Sequence, residues 1–135
     1  MTGQAFDPGP PVDYAWAATF LDEYVEARTH LNISSLVELF AEDGILQPDP
    51  FEPPLTGSNA IRAYLLRCAD QEADVELTIE RHWVSGATIL AAWHASFVRR
   101  PDRGHVRESG FMTAEIRSGR CARLRIWTVV KPDGS

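Results

Sequence analysis

Cysteine is scarce in this chain, and the scarcity excludes a disulfide scaffold. Cys68 and Cys121 are the only two, and neither sits in a Cys-x-x-Cys or Cys/His spacing, so they read as buried thiols of a reducing compartment. Positive charge is also short. The formal net charge is -6, and the arginines between Arg99 and Arg125 are interleaved with acids and apolar residues. No field of that kind holds a phosphate backbone, so nucleic acid is not an expected partner. No segment approaches the ~20 apolar residues of a bilayer span. The N-terminus has neither the basic region nor the apolar run of a signal peptide, and the expectation is a soluble, cytoplasmic protein without membrane contact. There is no His-x-x-x-His spacing or carboxylate cluster for a metal, and no glycine-rich strand-to-helix turn for a nucleotide. Neither metal nor cofactor is expected.

What is present fits one domain. A chain of 135 residues buries roughly two thirds of its unfolded surface, enough for a core and a pocket. Residues 1–12, rich in Gly and Pro, read as a flexible arm, 13–130 as the domain and 131–135 as a tail. Asp13 is placed to cap a helix running to about His30, with Ala17, Phe20, Leu21, Tyr24 and Val25 on one face. Ser35 to Glu38 has the form of a capping box and predicts a second helix ending near Gly44. A brief strand at Ile45-Leu46 and the proline-rich QPDPFEPPLTG follow, and Ser58 or Asn59 caps a third helix carrying Ile61, Tyr64, Leu65 and Cys68. From Asp74 the period changes to two. Val75, Leu77 and Ile79 alternate with Glu76, Thr78 and Glu80, and turns at Ser85-Gly86, Pro101 to Gly104 and Ser118-Gly119 separate further strands over 88–99, 106–117 and 122–130. Three helices followed by an antiparallel meander make an α+β order, with the helices on one face of the sheet.

The helix with Phe20-Leu21 and Tyr24, then LVELFAEDG, a proline-bearing loop, TGSNAIRAYL and a four-strand tail resembles the nuclear transport factor 2-like superfamily, including its SnoaL-like polyketide cyclases. The likeness covers residues 13–130. It implies helices packed on a curved, mainly antiparallel sheet, a cone with an internal pocket. Fold alone does not fix function, because the superfamily contains many chemistries and many non-enzymes. Ketosteroid isomerase, a worked example of an Asp base working beside a Tyr and a protonated Asp, supplies the catalytic template. Tyr24 stands where the template has its oxyanion tyrosine. Asp49-Pro50 offers the Asp-Pro dipeptide of the base, one residue late when counted from Asp43. The second acid's position falls on Phe111, a departure from the pattern. A histidine at His94 resembles one used by scytalone dehydratase, a further member.

Alternation also orients the strands. Ile89, Ala91, Trp93, Ala95 and Phe97 form the more apolar set of their strand and should face the helices, which sends His94 to the other side. Leu124 and Ile126 should point inward. Arg123, Arg125 and Trp127 are then left on an outer face suited to a homodimer interface. The candidate catalytic residues are Tyr24 and Asp49, together with His94 as a proton shuttle if the phase of its strand is reversed. Phe20, Phe51, Tyr64, Trp93, Phe97, Phe111, Thr113 and Ile126 are candidates for contact with a small hydrophobic molecule, although a cavity wall and a core wall have the same composition. The resemblance implies a cofactor-independent lyase, isomerase or cyclase acting by acid-base chemistry on a hydrophobic carbonyl or polyketide-like compound. A non-catalytic dimer that binds a hydrophobic ligand or a protein is the alternative.

Overall fold

Asp13 begins the first helix as its sequence position predicts. Its carboxylate accepts a hydrogen bond from the Trp16 amide at 2.7 Å and caps α1, Tyr14–Thr29. The structure, a computed structural model, describes residues 9–132. Most of the expected N-terminal arm, residues 1–8, and the end of the tail, 133–135, lie outside the described residues. Within the arm, the Val12 amide donates to the Gly86 carbonyl at 3.0 Å.

The second helix is shorter and earlier than the capping box implies. Asn32 caps α2, Ile33–Glu38, by accepting from the Ser35 amide. The chain then leaves the helix because β1, Phe40–Gln47, pairs in parallel with β6, Arg120–Val130. Phe40 lies opposite Cys121, whose amide donates to the Leu39 carbonyl at 2.8 Å. Sheet pairing and burial of Phe40, only 4% exposed, override the local helical signal.

The short β2, Leu55–Thr56, returns beside β1 and leads into α3, Ser58–Gln71. Here the N-cap is Gly57, and neither Ser58 nor Asn59 takes that role. Gly57 has φ +91 and its amide donates to the Gly44 carbonyl at 2.8 Å. That positive φ is the reason a glycine occupies the turn.

The meander forms as its alternation predicts: β3, Glu72–Ser85, β4, Thr88–Arg99, and β5, His105–Arg117, run antiparallel into β6. The six-stranded open sheet has the order β2-β1-β6-β5-β4-β3, with one parallel pair among antiparallel ones. Irregular register between Ala73 and Glu76, and again between Ile79 and Arg81, marks bulges in β3 that bend the edge of the sheet. The result is an α+β domain with a curved sheet and its helices on the concave side.

Ala17, Phe20 and Leu21 of α1, Leu36 of α2 and Ile61 and Leu65 of α3 pack against Ile89, Ala91, Met112, Ala114 and Leu124 of the sheet. No helix among the described residues is long and apolar enough to cross a membrane. Ile61 is 0% exposed and Leu66, on the opposite side of α3, is 49% exposed. Truncating Ile61 to Ala should cost roughly 2–5 kcal/mol of unfolding free energy. Leu66→Ala should stay within about 0.5 kcal/mol, as read by urea denaturation.

Candidate active site

The helices cover only part of the concave face, and what they leave uncovered is a cavity of about 1360 Å³. Its depth is lined by Leu36, Phe40, Leu46, Leu65, Met112 and Leu124, all apolar. Gly110 helps to create the space. It follows Glu108 on the inner face of β5, opposite Trp93, and a Cβ there would meet the Trp127 carbonyl oxygen and lie 2.7 Å from Cζ2 of Trp93. The indole of Trp93, 6% exposed, thus lies against bare backbone.

Polar groups enter this wall from four elements. One turn of α1 separates Tyr24 from Arg28, and one turn of α3 separates Tyr64 from Cys68, so each pair faces the cavity together. Glu72 opens β3. Its place is fixed by Arg100, whose Nε donates to the Ala69 and Glu72 carbonyls at 3.1 and 2.8 Å and satisfies the end of α3. Glu108 comes from the inner face of β5, level with Ala95 and Val130.

Arg28 Nη2 donates to Glu72 Oε1 at 2.8 Å, with side chains only 20% and 13% exposed. The other terminal nitrogen, Nη1, is buried without a hydrogen-bond partner among the described residues, and so is Nε1 of Trp93. Of the three buried side-chain nitrogens without a partner among the described residues, these two belong to residues that line the cavity, and the third, Nε2 of His82, does not.

Burial pushes the Glu108 carboxyl above its ordinary range; the negative charge of Glu72 raises it further and Arg28 opposes both. Tyr24 is also raised, by burial first, with Arg28 working against it. Its hydroxyl therefore keeps its proton and can donate. Tyr64 is raised by burial and by the Cys68 thiol to which it is hydrogen-bonded. The Cys68 thiol is raised by burial as well, so it is no ready nucleophile.

The sequence candidates are distributed unevenly around this site. Tyr24, Tyr64, Trp93, Phe97 and Ile126 line the cavity. Asp49 and Phe51 border only its mouth. Asp49 is exposed, and its carboxylate turns back to accept from the Phe51 amide at 2.9 Å, the bond of a local turn. Phe51 is 92% exposed. Phe111 touches the cavity edge, yet it pairs with Ala92 and Trp127 on the outer face and its ring packs on Trp83. Thr113, between Leu90 and Arg125, and His94, between Thr78 and Ser109, also lie on the outer face, where the pleat turns their side chains away from the cavity. Phe20 is buried against Trp16 and does not line the cavity.

Arg28, Cys68, Glu72 and Glu108 are absent from the sequence candidates. The signals existed. Arg28 and Cys68 follow Tyr24 and Tyr64 by four residues, and in β5 the set Val106, Glu108, Gly110, Met112, Ala114 is the more apolar one, with a single carboxylate in it.

A carboxyl raised by burial loses native stability as it ionises. Glu108 binds its proton more tightly folded than unfolded, so its contribution falls as pH rises from the ordinary glutamate range through the raised value. Thermal denaturation should show Glu108→Gln more stable than the natural protein near pH 8, with the gain shrinking toward pH 4.

A family described as a SnoaL-like domain matches residues 21–124. A search of curated proteins found no significant match. Among solved structures, a candidate isomerase from Bacillus subtilis superposes with TM-score 0.77 at 20% identity, covering 86% of this chain and 88% of that one. SalBIII, described as an epoxide hydrolase/cyclase-like enzyme in pyran ring formation in the polyether salinomycin, gives 0.77 at 17% identity over 87% and 93%. An LEH-like epoxide hydrolase from M. tuberculosis gives 0.72 at 16% identity over 85% and 84%. Likeness at these identities speaks for a common fold.

Proposed function

We propose, from the premise that the chain belongs to the SnoaL-like domain family, that it is a cofactor-independent lyase, isomerase or cyclase acting by proton transfer on a hydrophobic, oxygen-bearing molecule. One observation carries the reading: a carboxyl raised by burial, Glu108, sits with the Arg28–Glu72 ion pair and two tyrosines on the wall of an apolar cavity. A base whose pKa is shifted toward the working pH transfers protons efficiently. Ionised Glu108 takes a proton from carbon or from water, and Tyr24, which holds its own proton, donates a hydrogen bond to the oxygen that gains charge. Arg28, neutralised on one side by Glu72, has its Nη1 left to meet a substrate oxygen.

The proton-transfer role goes to Glu108 in preference to Asp49 because the Asp49 carboxylate is exposed and engaged by the Phe51 amide. His94 has no part in this reading, being on the other face. Enolisation next to a carbonyl, elimination of water and opening of an epoxide by water or an internal hydroxyl all need this pair of functions. The neighbouring structures named for an isomerase and for epoxide chemistry are in keeping with it.

Turnover of a panel of hydrophobic enones, β-hydroxyketones and epoxides tests the reading. Glu108→Gln should lower kcat/KM by about 10²–10⁴ and Tyr24→Phe by about 10²–10³, while Asp49→Asn stays within about twofold of the natural protein. Loss of activity in Asp49→Asn with full activity in Glu108→Gln would reverse the assignment. Binding of panel members without turnover would favour a ligand-binding protein.

A homodimer through the outer sheet face belongs to the same proposal. Trp83, Phe111 and Trp127 stand on that face, with Arg81 5.2 Å from the Trp83 ring and Arg125 4.9 Å from that of Trp127. Aromatics and arginines are the residues enriched in interface cores. Sedimentation velocity should show a dimer that Trp127→Glu converts to monomer.

A further inference from the structure

Two features of the cavity remain unused by the acid-base reading. Its volume of about 1360 Å³ exceeds the ~300–1,000 Å³ typical of sites for drug-sized ligands. Its mouth carries exposed apolar side chains: Phe51 is 92%, Val129 72% and Val130 53% exposed. All three border the cavity, together with Pro50, Pro53 and Pro54 of the proline loop.

The polar and apolar parts come from different elements and meet where Val130 pairs with Glu108. Tyr24, Arg28, Tyr64, Cys68, Glu72 and Glu108 come from α1, α3, β3 and β5, whereas the exposed apolar rim comes from the segment after β1 and the end of β6. In the order β2-β1-β6-β5-β4-β3, β5 lies two strand spacings from β1 and β3 lies four. Val130 pairs directly with Glu108, one strand spacing away, whereas the loop carrying Phe51 leaves the sheet at β1, about 10 Å from the line of Glu108 and about 19 Å from that of Glu72 measured along the sheet. The rim is also held in shape. Asp49 Oδ1 accepts from the Phe51 amide, and Gln47 Nε2 donates to the Glu52 carbonyl at 3.2 Å. With prolines on both sides, the loop has little entropy left to lose on covering a ligand.

We infer that the rim is the second half of the binding site, and that the substrate is an extended molecule with an oxygenated end at the Arg28–Glu72–Glu108 wall and a hydrocarbon end lying under Phe51. This rests on the reading that the cavity holds a hydrophobic ligand, and it narrows that ligand to one long enough to cross the mouth. An apolar rim continuous with an apolar cavity is completed by the projecting part of the cavity's own ligand.

Binding of two straight-chain methyl ketones, 2-octanone and 2-tetradecanone, followed by intrinsic tryptophan fluorescence, tests this without requiring turnover. The longer ketone should bind more tightly. Phe51→Ala should raise its Kd roughly tenfold or more and leave that of 2-octanone within about twofold, and Phe51→Leu should restore most of the loss. Because Phe51 is almost fully exposed, the substitution should leave thermal stability unchanged. An equal effect on both ketones, or none on the longer one, overturns the inference. A protein that binds the long ketone through Phe51 but shows no dependence of turnover on Glu108 keeps this inference and loses the acid-base reading.

Discussion

The bond between Arg28 and Glu72 joins the end of the first helix to the start of the first meander strand, inside a wall with little access to water. A buried ion pair of this kind is a doubtful source of net stability, because removing two charges from water is expensive. Its influence is positional and electrostatic. It spans the seam between α1 and β3, fixes which guanidinium nitrogen is occupied, and sets the charge that Glu108 feels. Glu72 discourages ionisation of Glu108 while Arg28 favours it, and burial exceeds both. Without that pair, Glu108 would stand as the one charged group on the inner wall among the described residues, beside two tyrosines and a thiol.

The hollow has its own cause. A curved sheet of six strands presents more concave surface than three helices can cover. Gly110 then removes a side chain where Trp93 crosses the strand. Bulges in β3 bend the sheet edge that receives α1, and Arg100 closes the end of α3 where Glu72 begins the strand. Packing of the deep half is that of an ordinary core, with Leu36, Ile61, Ile89 and Cys121 almost inaccessible. Cys121 shows the consequence: burial pushes its thiol up to about 12, so it is a filler and no reagent. The same scaffold therefore supplies a rigid floor, a polar wall and an apolar mouth from one sheet and the helices and loop packed on it.

Much of this was legible in the sequence where the signal is local or periodic. Asp13 as a cap, the face of Ala17, Phe20 and Leu21, and the alternation of Ile89, Ala91 and Trp93 follow from single-element geometry, and they led to the order of elements and to the inward turn of Trp93. The second helix went differently because Phe40 pairs with Cys121 of β6, a partner some eighty positions away in the chain whose amide also donates to the Leu39 carbonyl. No local pattern records such a contact. Phe111 borders the cavity as the sequence suggested, while its strand's alternation turns its ring outward onto Trp83.

The sequence by itself determined the α+β order, the strand phases of β4 and β6 and the presence of a tyrosine on the inner face of α1, because each depends on spacing along one element. Only the tertiary structure decided the composition of the candidate site. Arg28, Cys68, Glu72 and Glu108 come from separate elements, and their significance lies in mutual distance and loss of solvent, quantities that no spacing in the chain encodes. The orientation of Asp49 was likewise set by the fold. A proline-framed acid is conspicuous in a sequence, but the fold turned its carboxylate toward the neighbouring amide and left it in water.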